Sequence, residues 1–330
     1  MTPSCTAALE ICALLSNAGE GDEVILPSYT FVSTASAFAL RGARPIFVDI
    51  EPTHLNIDPS LIESSITPRT RALAIVHYGG VACDMSPIMD IVARNSLLLV
   101  EDAAHALGGK YQGKNLGTFG QLATFSFHET KNVTCGEGGA LFVNDSSLVD
   151  RAYIIKDKGT NRRNFQRGDV EYYSWVDHGS SFVMSDILAA FLLAQLECLD
   201  RVNERRRTLH RTYSERLTPL KKKGLIQFPD KGASDDSTAH LFFIILPDKA
   251  SRNKLQQHLK KRDIMAVAHY QPLHLSKFVC DRWGLQPPLP ITEWAAERLL
   301  RLPLFFSLDE KEQDVVIGAI YEYFGIEYKI

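Results

Sequence analysis

The chain has 330 residues, 45% hydrophobic and 23% charged, with a formal net charge of −3. That is the balance of an ordinary globular protein long enough for two domains. It offers no electrostatic case for nucleic acid or an anionic membrane surface, and the basic runs at 205–207 and 221–223 are too short to change that.

The predicted elements alternate through the first half. Residues 24–27 form a strand, 30–40 a helix stopped at Gly42, 45–49 a strand and 59–65 a short helix. A strand follows at 72–77, a helix at 86–95, and strands at 97–101, 123–127 and 140–143. Strands alternating with helices predict a mostly parallel sheet covered on both faces, and their near-continuous apolar character suits burial on both sides. One long helix is expected over 185–217, with Ser185 as N-cap. Smaller α+β units then follow: a strand at 239–245, a helix at 249–261, a strand at 265–269 and a terminal helix at 309–324. The expected division is a large domain over 1–200 and a smaller C-terminal domain over 201–330.

Six scattered cysteines without a Cys-x-x-Cys pair point to reduced thiols. His269 and His274 do not have the spacing of a zinc site, and no metal is expected. The first residues carry Glu10 and no basic cluster, unlike a secretory leader. The most apolar helix segment, 187–199, is too short to span a bilayer. Both features favour the cytoplasm.

Chemistry concentrates at the strand ends. Ligands of such sheets sit beyond the carboxyl ends of the strands, where His77, Asp102 and His128 fall. Ser4, Cys5 and Thr6 precede a helical pattern, whose free N–H groups suit a phosphate; taken alone, they are an N-cap. Lys131 follows a serine-bearing strand (Ser126) and precedes Gly136-Glu137-Gly138-Gly139; taken alone, it is a surface lysine. Asp102 is either a carboxylate making turn hydrogen bonds or a charge partner for a pyridine nitrogen, a pairing worth about 4 kcal/mol at ~4 Å. Phe31 is either core or a stacking platform. An amine and a carboxylate, each ending a buried strand, are what pyridoxal 5′-phosphate (PLP) chemistry requires: the amine forms a Schiff base with the aldehyde, and the carboxylate pairs with the ring nitrogen.

In chain order, Ser4-Cys5-Thr6-Ala7, Pro27-Ser28-Tyr29-Thr30-Phe31, Val76-His77-Tyr78-Gly79 and Glu101-Asp102-Ala103-Ala104-His105 are followed by four more segments. These are Phe125 to Lys131, Gly136 to Gly139, Met184-Ser185-Asp186 and Arg301-Leu302-Pro303-Leu304-Phe305. Together they resemble the DegT/DnrJ/StrS family of PLP-dependent nucleotide-sugar aminotransferases. The resemblance implies a fold type I PLP-dependent transferase and a homodimer with sites at the subunit interface. Lys131 would be the Schiff-base lysine and proton carrier, and Asp102 the pyridinium partner. Cys5, Thr6 and Ser126 would hold the phosphate, Phe31 would stack on the ring, and His105 would stand near the cofactor hydroxyl. Ser181 would reach the partner subunit's phosphate. His77, His128, His269, Tyr270 and His274 would border the substrate. L-Glutamate would be the donor and a dTDP-4-keto-6-deoxy sugar the acceptor. Two alternatives are a keto sugar on another nucleotide and an impaired homologue that binds cofactor or a full-length partner. The family carries an N-terminal segment that is missing before Ser4, so Cys5 and Thr6 are expected to lack an upstream anchor.

Overall fold

The alternation of side chains along each strand decides where the helices sit. In the computed structural model, which describes residues 1–229 and 236–328, Val24, Leu26, Ala72, Ala74 and Val100 face one way. They pack with helices α1 (Cys5–Leu15) and α2 (Val32–Ala39). Ile25, Leu73, Ile75 and Leu99 face the other way, onto α3 (Met85–Asn95). The strands are β1 (Glu23–Pro27), β2 (Arg44–Val48), β3 (Thr70–Val76) and β4 (Leu98–Asp102). A two-residue hairpin, β5 (Lys110–Tyr111) with β6 (Lys114–Asn115), precedes β7 (Leu122–Ser126) and β8 (Gly139–Val143). The sheet order is β2-β1-β3-β4-β7-β8, parallel except for β8, so the predicted α/β sheet with helices on both faces is what forms.

Helices α4 (Val149–Lys156), α5 (Arg162–Arg167) and α6 (Asp186–Leu196) lead to α7 (Leu199–Lys222). The single helix expected over 185–217 is therefore two, broken at Glu197 and Cys198 without glycine or proline. The two halves have different tasks. α6 is apolar on all sides yet buries Leu192 alone, whereas α7 lays Leu209, Tyr213, Leu217 and Leu220 into a C-terminal core. Ser185 precedes α6 but makes no side-chain cap bond.

That core also holds β9 (Phe242–Ile245), α8 (Lys249–Lys260), β10 (Leu299–Leu302) and α11 (Glu310–Tyr323). Helices α9 (Lys277–Trp283) and α10 (Pro290–Arg298) lie between α8 and β10. The strand expected from 239 starts only at Phe242. Ala239 has a left-handed φ of 46°, and Arg206 binds the carbonyls of Ala239 and His240, which keeps them out of a ladder. The strand expected at 265–269 shrinks to one bridge, Val267 with Arg301. The segment at 59–65 is two 3-10 turns.

The N-terminus is anchored, contrary to expectation. Thr2 is buried and exchanges both backbone hydrogen bonds with Gly139, at 2.9 and 3.0 Å. Gly139 permits this approach, since a Cβ there would lie 2.3–2.4 Å from Ser4 and Cys5 backbone atoms. The glycines after Lys131 thus bring the backbone against the N-terminal loop.

Candidate active site

The carboxyl ends of β1, β3, β4 and β7 meet the N-terminus of α1 around a cleft of ≈ 550 Å³. Its lining includes Cys5, Thr6, Phe31, Asp102, His105, Ser126, His128, Lys131, His269 and Tyr270. Ten of the thirteen predicted site residues are therefore brought together, from segments spread between positions 5 and 270.

The α1 N-terminus is built for an anion. Ser4 Oγ accepts from the Ala7 N–H at 3.0 Å, and the Ser4 carbonyl accepts from Ala8. The N–H groups of Cys5 and Thr6 have no intrahelical acceptor at a first turn. The Thr6 hydroxyl pairs with that of Ser33 at 2.8 Å, and Ser126 Oγ accepts weakly from the His128 N–H at 3.4 Å. Burial pushes the Cys5 thiol up, so it stays protonated.

Asp102 ends β4 on the α1/α2 side. Its carboxylate accepts from Thr34 Oγ1 at 2.7 Å and from the Ala104 N–H at 3.1 Å. Burial nevertheless holds its pKa above the usual carboxylate range, against the opposing help of those bonds and of Lys131. Two donors and a distant cation do not satisfy a buried carboxylate, and a bound pyridinium N–H would. Lys131 is half-buried; burial lowers its pKa and Arg301 adds to this, against the opposing charge of Asp102. Phe31 is 56% exposed at the start of α2, tilted toward Tyr270 at 6.5 Å, so its ring is available to a ligand. The anion-binding turn, the under-satisfied carboxylate, the depressed amine and the free aromatic face together fit PLP.

Three predicted residues lie elsewhere. His77, expected at the substrate, is fully buried beneath the sheet. Its Nε2 lies 3.1 Å from Glu101 Oε2, and its Nδ1 accepts from the Cys83 N–H at 3.2 Å. His274 is also fully buried, between Ser28 Oγ at 2.7 Å and Glu293 Oε1 at 3.3 Å, where it pins a turn. Both placements correct the expectation for the same reason: each ring already spends both nitrogens on protein groups. Ser181 is exposed and bridges to Asp157, away from this chain's own cleft. His128, at the cleft mouth, approaches Glu137 at 3.5 Å, and His269 Nδ1 meets the Tyr78 hydroxyl at 3.1 Å.

The sequence reading missed Thr34, His240 and Arg301 as site residues. Arg301 lines the cleft from β10, and its buried Nε has no partner. An arginine inside the apolar run Leu299–Leu302 was the available signal.

A model of the DegT/DnrJ/EryC1/StrS aminotransferase family matches residues 1–321. Among solved structures, the chain is similar to the aminotransferase TlmJ from Streptoalloteichus hindustanus, with TM-score 0.89, 30% identity, and coverage of 98% of this chain and 85% of that one. NtdA from Bacillus subtilis, with bound cofactor PMP, matches with TM-score 0.88 and 30% identity over 98% and 72%. PseC from Helicobacter pylori, an aminotransferase involved in pseudoaminic acid biosynthesis, matches with TM-score 0.87 and 26% identity over 98% and 86%.

Proposed function

The chain belongs to the DegT/DnrJ/EryC1/StrS aminotransferase family as a PLP-dependent sugar aminotransferase, and we propose that it moves the amino group of L-glutamate to the 4-keto carbon of dTDP-4-keto-6-deoxy-D-glucose. The product is dTDP-4-amino-4,6-dideoxy-D-galactose, a precursor for polysaccharide of the enterobacterial common antigen type. The observation that carries the catalytic part of this reading is the placement of a half-buried Lys131 and a buried Asp102 in one cleft with the α1 N-terminus. The choice of acceptor rests on Val76 to Cys83, Phe127 to Asn132, Lys158 to Arg162 and Gly179 to Asp186, which resemble the corresponding segments of dTDP-4-amino-4,6-dideoxygalactose transaminases.

Bound PLP supplies an aldehyde that takes up the amino group and a ring that withdraws electrons from the carbon losing its proton. The α1 N-terminus, with Thr6 and Ser126, holds the phosphate. Asp102 keeps the proton on the ring nitrogen. Lys131 Nζ is neutral more readily than an ordinary lysine, so it accepts the donor Cα proton and returns it on the other side of the exchange. Arg301, whose buried Nε has no partner, would offer its guanidinium to a donor carboxylate. Phe31 would flank the ring, His105 would stand near the cofactor hydroxyl, and His128, His269 and Tyr270 would border the sugar.

The same reading includes a cytoplasmic homodimer and the division at 200/201. Ile187, Phe191 and Leu193 on α6 are 81%, 55% and 61% exposed. A second copy of the chain would cover them, and Ser181, in the segment leading to α6, would then approach the partner's phosphate. No helix among the described residues is long and apolar enough to cross a membrane.

Purified protein with PLP and glutamate, offered dTDP- and UDP-linked 4-keto-6-deoxyglucose in parallel, tests the reading. Conversion of the dTDP sugar to the galacto-configured 4-amino product supports it. Preference for the UDP sugar overturns the acceptor, and PLP fixation that survives Lys131→Ala overturns the lysine.

A further inference from the structure

One residue of the cleft, His240, has no part in that chemistry. The rings of His105 and His240 stack with centroids 4.1 Å apart and 24° between their planes. Both line the cleft with Lys131. Asn132, the next residue after Lys131, uses its whole amide. Its Nδ2 donates to the Thr238 carbonyl and to Asn203 Oδ1, each at 2.9 Å. Its Oδ1 lies 2.9 Å from His240 Nδ1.

These contacts have a direction. A carbonyl can only accept, so the Asn132 edge facing Thr238 is the NH₂ group, and the edge facing His240 is the oxygen. Asn203 agrees, because its own Nδ2 donates to the Leu107 carbonyl at 3.1 Å. His240 must therefore carry its proton on Nδ1, which leaves Nε2 bare in the neutral ring. His105 takes the opposite tautomer: its Nδ1 accepts from the Gly79 N–H at 3.3 Å, so its proton sits on Nε2.

The backbone of His240 is held as firmly. Its N–H donates to the Gly79 carbonyl at 3.1 Å, and its carbonyl accepts from Arg206 Nη2. Arg206 Nε also donates to the Ala239 carbonyl at 3.2 Å, and Thr238 Oγ1 donates to the His105 carbonyl at 2.6 Å. Gly79 thus serves both histidines, one through its N–H and the other through its carbonyl. Burial keeps both imidazoles neutral, with smaller help from the basic groups Lys131, Arg206 and Arg301.

We propose that His240 is a positioning residue of the active site: its Nδ1–H fixes the Asn132 amide, and with it the turn that presents Lys131, while its ring backs His105 and sets the direction of the His105 Nε2–H. This rests on Lys131 being the residue that captures PLP.

The test is the rate at which full-length protein fixes added PLP to the Lys131 peptide, trapped with borohydride and read by mass spectrometry. Lys131→Ala is the control. Its failure to abolish fixation sinks the lysine reading, whereas normal fixation by His240→Phe in a lysine-dependent protein sinks the positioning role alone. His240→Phe keeps a stacking ring and loses the hydrogen bond, and should slow fixation about tenfold. Asn132→Ala, which also loses the bonds to Thr238 and Asn203, should cost at least as much. The double variant should be no slower than Asn132→Ala, because the His240 bond is already absent in that variant. His240→Asn, which keeps an N–H for Asn132, should recover to within about threefold of wild type. A merely structural histidine predicts equal losses for Asn and Phe and additive losses in the double variant; either result overturns the proposal. ¹⁵N-histidine spectra of the wild type decide independently of any variant's folding. The expected result is Nδ1–H at His240 and Nε2–H at His105, and the reverse tautomer at either ring refutes it.

Discussion

Glu101 and Asp102 are neighbours on one strand, and they end up in opposite chemical situations. Glu101 points beneath the sheet. Its oxygens accept from the N–H groups of Gly117, Phe119 and Gly120 at 2.7–2.8 Å and pair with His77 at 3.1 Å. Burial alone would raise its pKa, but His77 and those N–H groups outweigh it and hold the carboxyl below the ordinary range. Asp102 points into the cleft with two donors, and burial wins there. The arginines repeat the contrast. Arg206 is buried against three carbonyls, and Arg301 has an Nε without a partner. Satisfied charges of this kind build the scaffold, whereas under-satisfied ones in a cleft mark where a ligand belongs.

Substitutions at three of these positions, Glu101, Asp102 and Arg301, should separate along that line. Glu101→Ala strands several buried donors and should lower folding stability by about 3 to 5 kcal/mol, read by chemical denaturation. A loss below about 1 kcal/mol would break the comparison. Asp102→Asn should instead leave the denaturation curve near wild type and reduce turnover roughly a thousandfold, matching a lost ion pair of about 4 kcal/mol. Arg301→Gln should raise the KM for glutamate roughly ten- to a hundredfold, the worth of a charged hydrogen bond. An unchanged KM would remove Arg301 from the donor site.

The smallest expected effect is on pH dependence, where the two carboxylates carry opposite signs. A lowered folded-state pKa gives stability that is present above the unfolded value and lost as pH falls through the folded one. Glu101 therefore contributes a loss on acidification below the ordinary glutamate range. A raised folded-state pKa does the reverse, so Asp102 costs stability once pH rises past the ordinary aspartate range and releases that cost on acidification. As pH falls from ~4.5 to ~3, wild type should lose more stability than Glu101→Ala does, measured as the shift in denaturation midpoint. Equal shifts would show that the Glu101 pair is not the titrating element.

Much of this was legible beforehand. Apolar runs and their turn signals located every strand of the main sheet, because buried parallel strands must be apolar on both faces. Motif order brought Lys131, Asp102, Cys5 and Phe31 to one cleft before any geometry was known. The errors share one cause. His77 and His274 sit in motifs that suggest ligand contact, yet whether a ring faces a cleft or a core depends on strand direction and on distant partners such as Glu293. The break between α6 and α7 has no local signal, because it follows from which core each half packs against.

The amino-acid sequence by itself determined the alternation of elements and the residues able to do amine and carboxylate chemistry, since these rest on local periodicity and side-chain type. Only the tertiary structure decided that Asp102 faces α1 while Glu101 turns away, and that Thr2 ties down the phosphate loop through Gly139. It alone brought Arg301 and His240 to Lys131 across more than a hundred residues of chain. Those outcomes depend on long-range contacts and shared burial, which no stretch of sequence encodes alone.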